Sequence, residues 1–191
     1  MSKKLARAGA IAGLTCISAF AAKAEIIKTA RVDCAKNAIC LYWWPKLPSL
    51  AGWHTEENAN YSNGANGINI LIPDGSNFAN ADTVIYANAV LKRRYESTNP
   101  QTKTLAAFIA DDRGTFVEQH NNMRIEDAAP LTTADGHKLR SLTYIGSGEW
   151  ERVAYGEEGE YYVLFVINAH SEAGFLKNLP AYESLVRNYR E

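Results

Sequence analysis

Apolar side chains recur at every second position in two separate blocks of this chain, and between the blocks lies one stretch with helical spacing. Ile39 to Leu47 is an aromatic, strand-like run ended by Pro45 and Pro48. Ile68, Ile70 and Ile72 alternate with Asn69 and Leu71 before Pro73-Asp74-Gly75, a strand running into a turn. Thr83 to Leu91 has apolar side chains on both faces, which predicts a central strand covered twice. After Asn99-Pro100 the period changes. Leu105, Phe108, Ile109, Phe116, Val117 and His120 predict a helix of about 18 residues with one apolar face. His137 to Ile145, Trp150 to Tyr155 and Tyr161 to Ala169 then read as strands, the last two joined as a hairpin across Gly156 to Glu160. Pro180 opens a final helix carrying Tyr182, Leu185, Val186 and Tyr189 on one side. Strands delivered in neighbouring groups, without strand–helix–strand alternation, predict an α+β fold: a single antiparallel sheet with a long helix and a C-terminal helix packed on it in α/β/α layers.

The first residues belong to a different logic. Lys3, Lys4 and Arg7 precede an uncharged run from Ala8 to Ala22, and Ala22-Lys23-Ala24 puts small residues where a signal peptidase reads them. That run is too short and too rich in Ala and Gly for a bilayer span, which needs roughly 20 strongly apolar residues. A signal peptide over 1–24 is therefore expected, with no stable membrane insertion after cleavage and a periplasmic or secreted address. Cys16 follows Thr15 rather than the Gly, Ala or Ser usual before a lipidated cysteine, so it is expected to leave with the leader.

Cleavage changes the charge. The chain has 20 Lys and Arg against 21 Asp and Glu, and loss of Lys3, Lys4, Arg7 and Lys23 leaves 16 basic residues and a net charge of −5. An acidic chain of this kind is a poor partner for nucleic acid, whose binding depends on a basic surface that releases counterions. Only Cys34 and Cys40 remain, and an even pair in an exported chain predicts a disulfide clamping the N-terminal arm. The expected organisation is an arm over 25–66, containing the cysteines and the aromatic strand, and an α+β region over 67–191, together one compact domain.

The run Gly67-Ile68-Asn69-Ile70-Leu71-Ile72-Pro73, then Asp82-Thr83-Val84-Ile85-Tyr86, a helix, Ala134-Asp135-Gly136, the Tyr161-Tyr162-Val163-Leu164 strand and the helix from Pro180 to Tyr189 resemble the PsbP-like superfamily. That superfamily includes the extrinsic photosystem II subunits, a small Ran-binding nuclear import factor and exported bacterial proteins of unknown function. The resemblance spans Gly67 to Tyr189 and rests on element order and turn positions. It implies a sheet flanked by helices and a non-enzymatic role in binding or stabilising a larger partner, with no catalytic motif to carry over.

Catalytic chemistry has little support in the residues themselves. His54, His120, His137 and His170 are far apart and lack the spacing of a zinc site, and no cofactor or metal is implied. Gly146-Ser147-Gly148 lacks the outer glycines of a nucleophile turn and reads as a strand connection. Glu157-Glu158-Gly159-Glu160 reads as a solvated hairpin tip, without the ligand spacing of a calcium loop. Asp112 is the exception. It follows Asp111 on the apolar stripe of the long helix, where a carboxylate is costly unless paired; Arg113, Arg140 and His137 are the partners the sequence offers if it does not turn to the rim. The stronger lead is aromatic. Tyr42, Trp43 and Trp44 are consecutive, so on a strand they cannot all face the core, and Trp53-His54 lies beside an Asn-rich loop, Glu56 to Asn66, that contains Tyr61. Trp43, Trp44, Trp53, His54 and Tyr61 are the candidate binding face, against the plainer reading that they are core and edge packing.

The expected role is a non-catalytic binding or accessory protein with a protein or envelope component as partner. The alternatives are a small envelope hydrolase using Asp112 with His120 or His137, and an immunity-type inhibitor of an envelope-targeting toxin.

Overall fold

A computed structural model of the chain describes residues 25–34, 38–56, 70–120, 122–146 and 148–190, with the side chains of 29–34 and 38–41 outside the description. The leader, Tyr61, Ser147 and both cysteine side chains thus lie outside the described residues. Among those described are strands β1 (Ile26–Cys34), β2 (Ala38–Pro45), β3 (Trp53–Glu56), β4 (Ile70–Pro73) and β5 (Thr83–Leu91), then helices α1 (Lys92–Thr98) and α2 (Leu105–Gln119). Strands β6 (Arg124–Thr132), β7 (Lys138–Gly146), β8 (Glu149–Glu158) and β9 (Tyr161–Ala169) follow, and helix α3 (Glu172–Asn188) ends the chain. All nine strands join one antiparallel sheet in the order β1-β2-β5-β9-β8-β7-β6, with β4 and β3 beside β5 off that path.

β5 is the hinge of this arrangement. It pairs with β9 along its whole length, from Thr83 opposite Ala169 to Leu91 opposite Tyr161. Its other edge is divided: β4 takes Ile85 and Tyr86, and β2 takes Ala89 through Trp43. A strand hydrogen-bonded on both edges and covered on both faces has no solvent side, which accounts for its run of Val, Ile, Ala and Leu.

The two sheet faces carry separate cores. Ile85, Ala87, Val163, Phe165 and Ile167 meet Phe175, Tyr182, Leu185 and Val186 of α3. On the opposite face Leu142, Tyr144, Val153, Tyr155, Leu164 and Val166 meet Phe108 and Ile109 of α2. The Phe108 ring stacks on Tyr162 with centroids 4.5 Å apart, and complete burial of such a ring is worth about 2–3 kcal/mol. A smaller cluster of Ile70, Ile72, Ala81 and Val84 closes the end of that face near β4. The expected α/β/α layering is what the chain adopts.

Several elements differ from the sequence expectation. α3 does not begin at Pro180 but at Glu172, where the Ser171 hydroxyl accepts from the Gly174 N–H at 3.0 Å and Pro180 lies inside the helix. α2 is shorter than expected and Val117 is 49% exposed: twelve residues after Leu105 it has rotated about 120° off the stripe at 3.6 residues per turn. β1, β3, β6 and α1 had no sequence signal. β6 is an edge strand whose register shifts between Ala128 and Leu131, around Pro130; a proline at a bulge on an edge costs no ladder bond and defeats simple alternation. The Pro73-Asp74-Gly75 turn forms as expected, with Gly75 at φ +83°. In the β1–β2 hairpin Cys34 stands opposite Ala38 and Cys40 opposite Arg31.

Candidate functional site

α2 starts where the Thr104 side chain caps the Ala107 N–H at 3.2 Å, and that register decides which side chains it turns to the sheet. Asp112, seven residues after Leu105, lies at the middle of the packed stripe. It does not turn to the rim or to the Arg113, Arg140 or His137 foreseen for it. Its Oδ2 accepts a hydrogen bond from the Tyr155 hydroxyl at 2.7 Å. The Tyr144 hydroxyl lies 2.7 Å from that of Tyr155, and since Tyr155 spends its one proton on Asp112, Tyr144 is the donor to Tyr155. Both tyrosines are fully buried. Neighbouring Asp111 accepts from the Tyr95 hydroxyl of α1, so the two aspartates of the pair are each served by a tyrosine.

A second buried carboxyl lies beside this chain of hydroxyls. Glu151 stands directly opposite Tyr144 on β7 and Asn168 on β9, and is only 6% exposed. Asn168 Nδ2 donates to its Oε2 at 3.0 Å. Burial pushes the Glu151 carboxyl up to about 8, with the charges of Asp112 and Glu149 adding to the effect and the Asn168 hydrogen bond opposing it. Asp112 is raised by burial first and by Asp111, against the lowering effect of the Tyr155 hydroxyl. Tyr144, Tyr155 and Tyr95 are all raised, chiefly by burial, so they remain neutral donors. Sequence reading found Asp112 but missed Tyr144, Tyr155 and Glu151, because only strand register brings them under α2.

The histidines of the hydrolase alternative sit elsewhere. His120 ends α2 with its ring 4.7 Å from Phe116, and His137 is exposed in the turn before β7. Among the described residues no group of three or more His, Cys, Asp or Glu side chains would hold a metal ion.

The aromatic candidates divide. Trp44 is 7% exposed and offers no surface to a ligand. Trp43 and Trp53 are half-buried against the α3-side core, together with Leu47, Leu50 and Tyr161. The Arg94 guanidinium lies 5.8 Å from the Trp43 ring centroid, and Tyr161 lies 6.4 Å from it at a tilt of 47°. His54 is exposed on the other side of β3, its Nδ1 3.4 Å from Asp74. The structure therefore brings Trp43 and Trp53 to one face and puts His54 on the opposite one.

The glutamate hairpin tip is held more firmly than its sequence suggests. Lys92 Nζ pairs with Glu157 at 3.0 Å and donates to the Gly159 carbonyl at 3.0 Å, while Tyr189 donates to Glu158. Among the described residues no helix is long and apolar enough to cross a membrane. No protein-family model matches the chain, and no curated protein matches it.

Proposed function

We propose that this chain is an exported, non-catalytic binding or accessory protein of the cell envelope, with PsbP-like architecture. In this reading it acts in the periplasm or outside the cell, processed after Ala24 and clamped near its N-terminus by a Cys34–Cys40 bridge. The observation that carries the binding role is the half-buried Trp43, with the Arg94 guanidinium over its ring and Tyr161 beside it. A tryptophan flanked by a cation and a tyrosine offers apolar area and polar edges together, the composition of anchoring residues at protein interfaces. The hydrolase reading is weaker, because Asp112 is bonded to a tyrosine that is itself fully buried and His120 is stacked on Phe116.

The partner is an envelope protein, and a toxin directed at the envelope is one case of it. Capture from envelope extract with the processed chain tests this. A partner retained by the wild type and depleted about tenfold or more by Trp43→Ala supports the proposal. Equal retention by the variant removes Trp43 as the anchor. Intact mass of the protein recovered from cells tests the address: residues 1–24 should be missing and two hydrogens lost to the disulfide.

A further inference from the structure

The Glu151 carboxyl has an unusual set of neighbours. On its own strand it has Glu149 and Val153; across the ladders it has Tyr144 and Asn168, with Ile125 and Val84 one strand further out on each side. From α2 come Asp112, the Phe116 ring 4.5 Å from Tyr144, and His120 stacked on Phe116. Arg113 is exposed, and its charge is felt at Tyr144. Among the described residues, the hydrogen bond to Glu151 comes from neutral Asn168. Thus two carboxyls face one layer, Asp112 from the helix at the end of the Tyr144–Tyr155 hydroxyl chain and Glu151 from the sheet, opposite Tyr144 on the neighbouring strand.

We infer that Glu151 is a proton-operated latch for α2: the helix stays seated on the sheet while this carboxyl is neutral, and lifts when the carboxyl ionises and must be hydrated. A neutral carboxyl fits beside Asp112 with no further counter-charge. An ionised one adds a second negative charge in a layer that holds Phe108, Ile109, Leu142, Val153 and Val166 beside the neutral tyrosines, and burying it unpaired costs more than exposing it. Water reaches it by separation of α2 from the sheet, since β7 and β9 close it on both sides. The device requires no unfolding of α3, which packs on the other face.

Amide hydrogen exchange on the full-length chain, corrected for the intrinsic pH dependence of exchange, reads this directly. The opening constant of α2 should rise roughly tenfold per pH unit from about pH 5 and level off near pH 8, and at every pH it should exceed that of the α3 amides, which open only when the whole chain unfolds. Glu151→Gln copies the neutral carboxyl. It should match the wild type at about pH 5 and reduce the rise across the window at least tenfold; adding Asp112→Asn should flatten what remains. The inference is overturned by α2 protection that ignores pH in the wild type, by a Glu151→Gln chain that responds as the wild type does, by one already open at low pH, or by α3 amides that open with the same constant as α2, which would make the α2 opening a global unfolding.

Discussion

Tyr155 donates its hydroxyl proton to Asp112 across the interface between α2 and β8, at 2.7 Å, and so compensates a carboxylate placed at the centre of an apolar helix face. The bond is local in space and remote in sequence. It depends on the cap at Thr104, which sets the rotation of α2, and on the β7–β8 pairing, which puts Tyr155 and Tyr144 on one face with the Leu142–Val153 pair between them, so that their hydroxyls meet above it. Such a bond fixes helix rotation in a way that the apolar contacts around it do not, because a side chain one position away reaches a different partner.

Removing Tyr155's hydroxyl leaves two buried groups without their partner, the Asp112 carboxyl and the Tyr144 hydroxyl. Tyr155→Phe should therefore cost about 2–6 kcal/mol, one unsatisfied-group penalty for each. Asp112→Asn keeps an acceptor for Tyr155 and should cost about 1 kcal/mol or less. Urea unfolding of the two variants measures both, and a larger loss for Asp112→Asn would mean that charge, not hydrogen bonding, holds this contact.

Global stability should respond to pH through Glu151. Between its ordinary value of 4.5 and the folded-state value of about 8, the unfolded chain has released the proton while the folded chain keeps it. The unfolded state then binds fewer protons, so stability falls as pH rises, by up to about 1.4 kcal/mol per unit. Above about pH 8 both states are ionised and this slope disappears. Equilibrium unfolding from pH 5 to 9 should show the decline and its end, and Glu151→Gln should remove the larger part of it.

How far the sequence carried the structure follows from what each element needs. β5 and β9 were legible end to end because full burial on both faces demands continuous apolar runs, and the α2 stripe was legible because Leu105, Phe108 and Ile109 all meet the sheet. β6 was not, since only part of its inward face is packed and Pro130 interrupts its register. The start of α3 was hidden by Gly174 and Pro180, two residues that ordinarily break helices but here lie within one. The carboxyl cluster was half legible. Asp112 stood out as a charge on an apolar stripe, but an acid such as Glu151 inside an alternating strand looks the same as any solvent-facing one until the other layer is known.

Arg152 offers a second test of how charge is managed in the core. It lies on the α3 side of β8 and donates through Nη1 to Glu183 at 3.0 Å and through Nη2 to the Ala129 carbonyl at 2.7 Å. Its Nε has no hydrogen-bond partner among the described residues. Glu183→Ala strands this buried guanidinium and should cost about 3–5 kcal/mol, whereas Arg152→Met removes the charge, leaves partly exposed Glu183 with Arg187 at 2.7 Å, and should cost less. Thermal melts of the two variants rank them, and the reverse order would show that packing by the arginine stem outweighs its charge.

The seat of α3 depends on a residue with no side chain. A Cβ at Gly174 would fall 1.6 Å from Asp82 Oδ2 and 2.9 Å from Thr83 Oγ1. Asp82 is held by the Ser171 hydroxyl at 2.8 Å, the same hydroxyl that caps α3, and Thr83 is buried and receives Asn178 at 3.1 Å. Alanine favours a helix over glycine by about 1 kcal/mol, but here it meets an occupied space and overpacking of this kind costs about 1–3 kcal/mol. Gly174→Ala should therefore destabilise. In an Asp82→Ala background the nearer obstruction is gone, and the added cost of Gly174→Ala should fall by half or more, with Thr83 Oγ1 the next atom to give way. A double-mutant cycle by urea unfolding measures the coupling; equal costs in both backgrounds would mean that the close approach to Asp82 is not what requires glycine at this position.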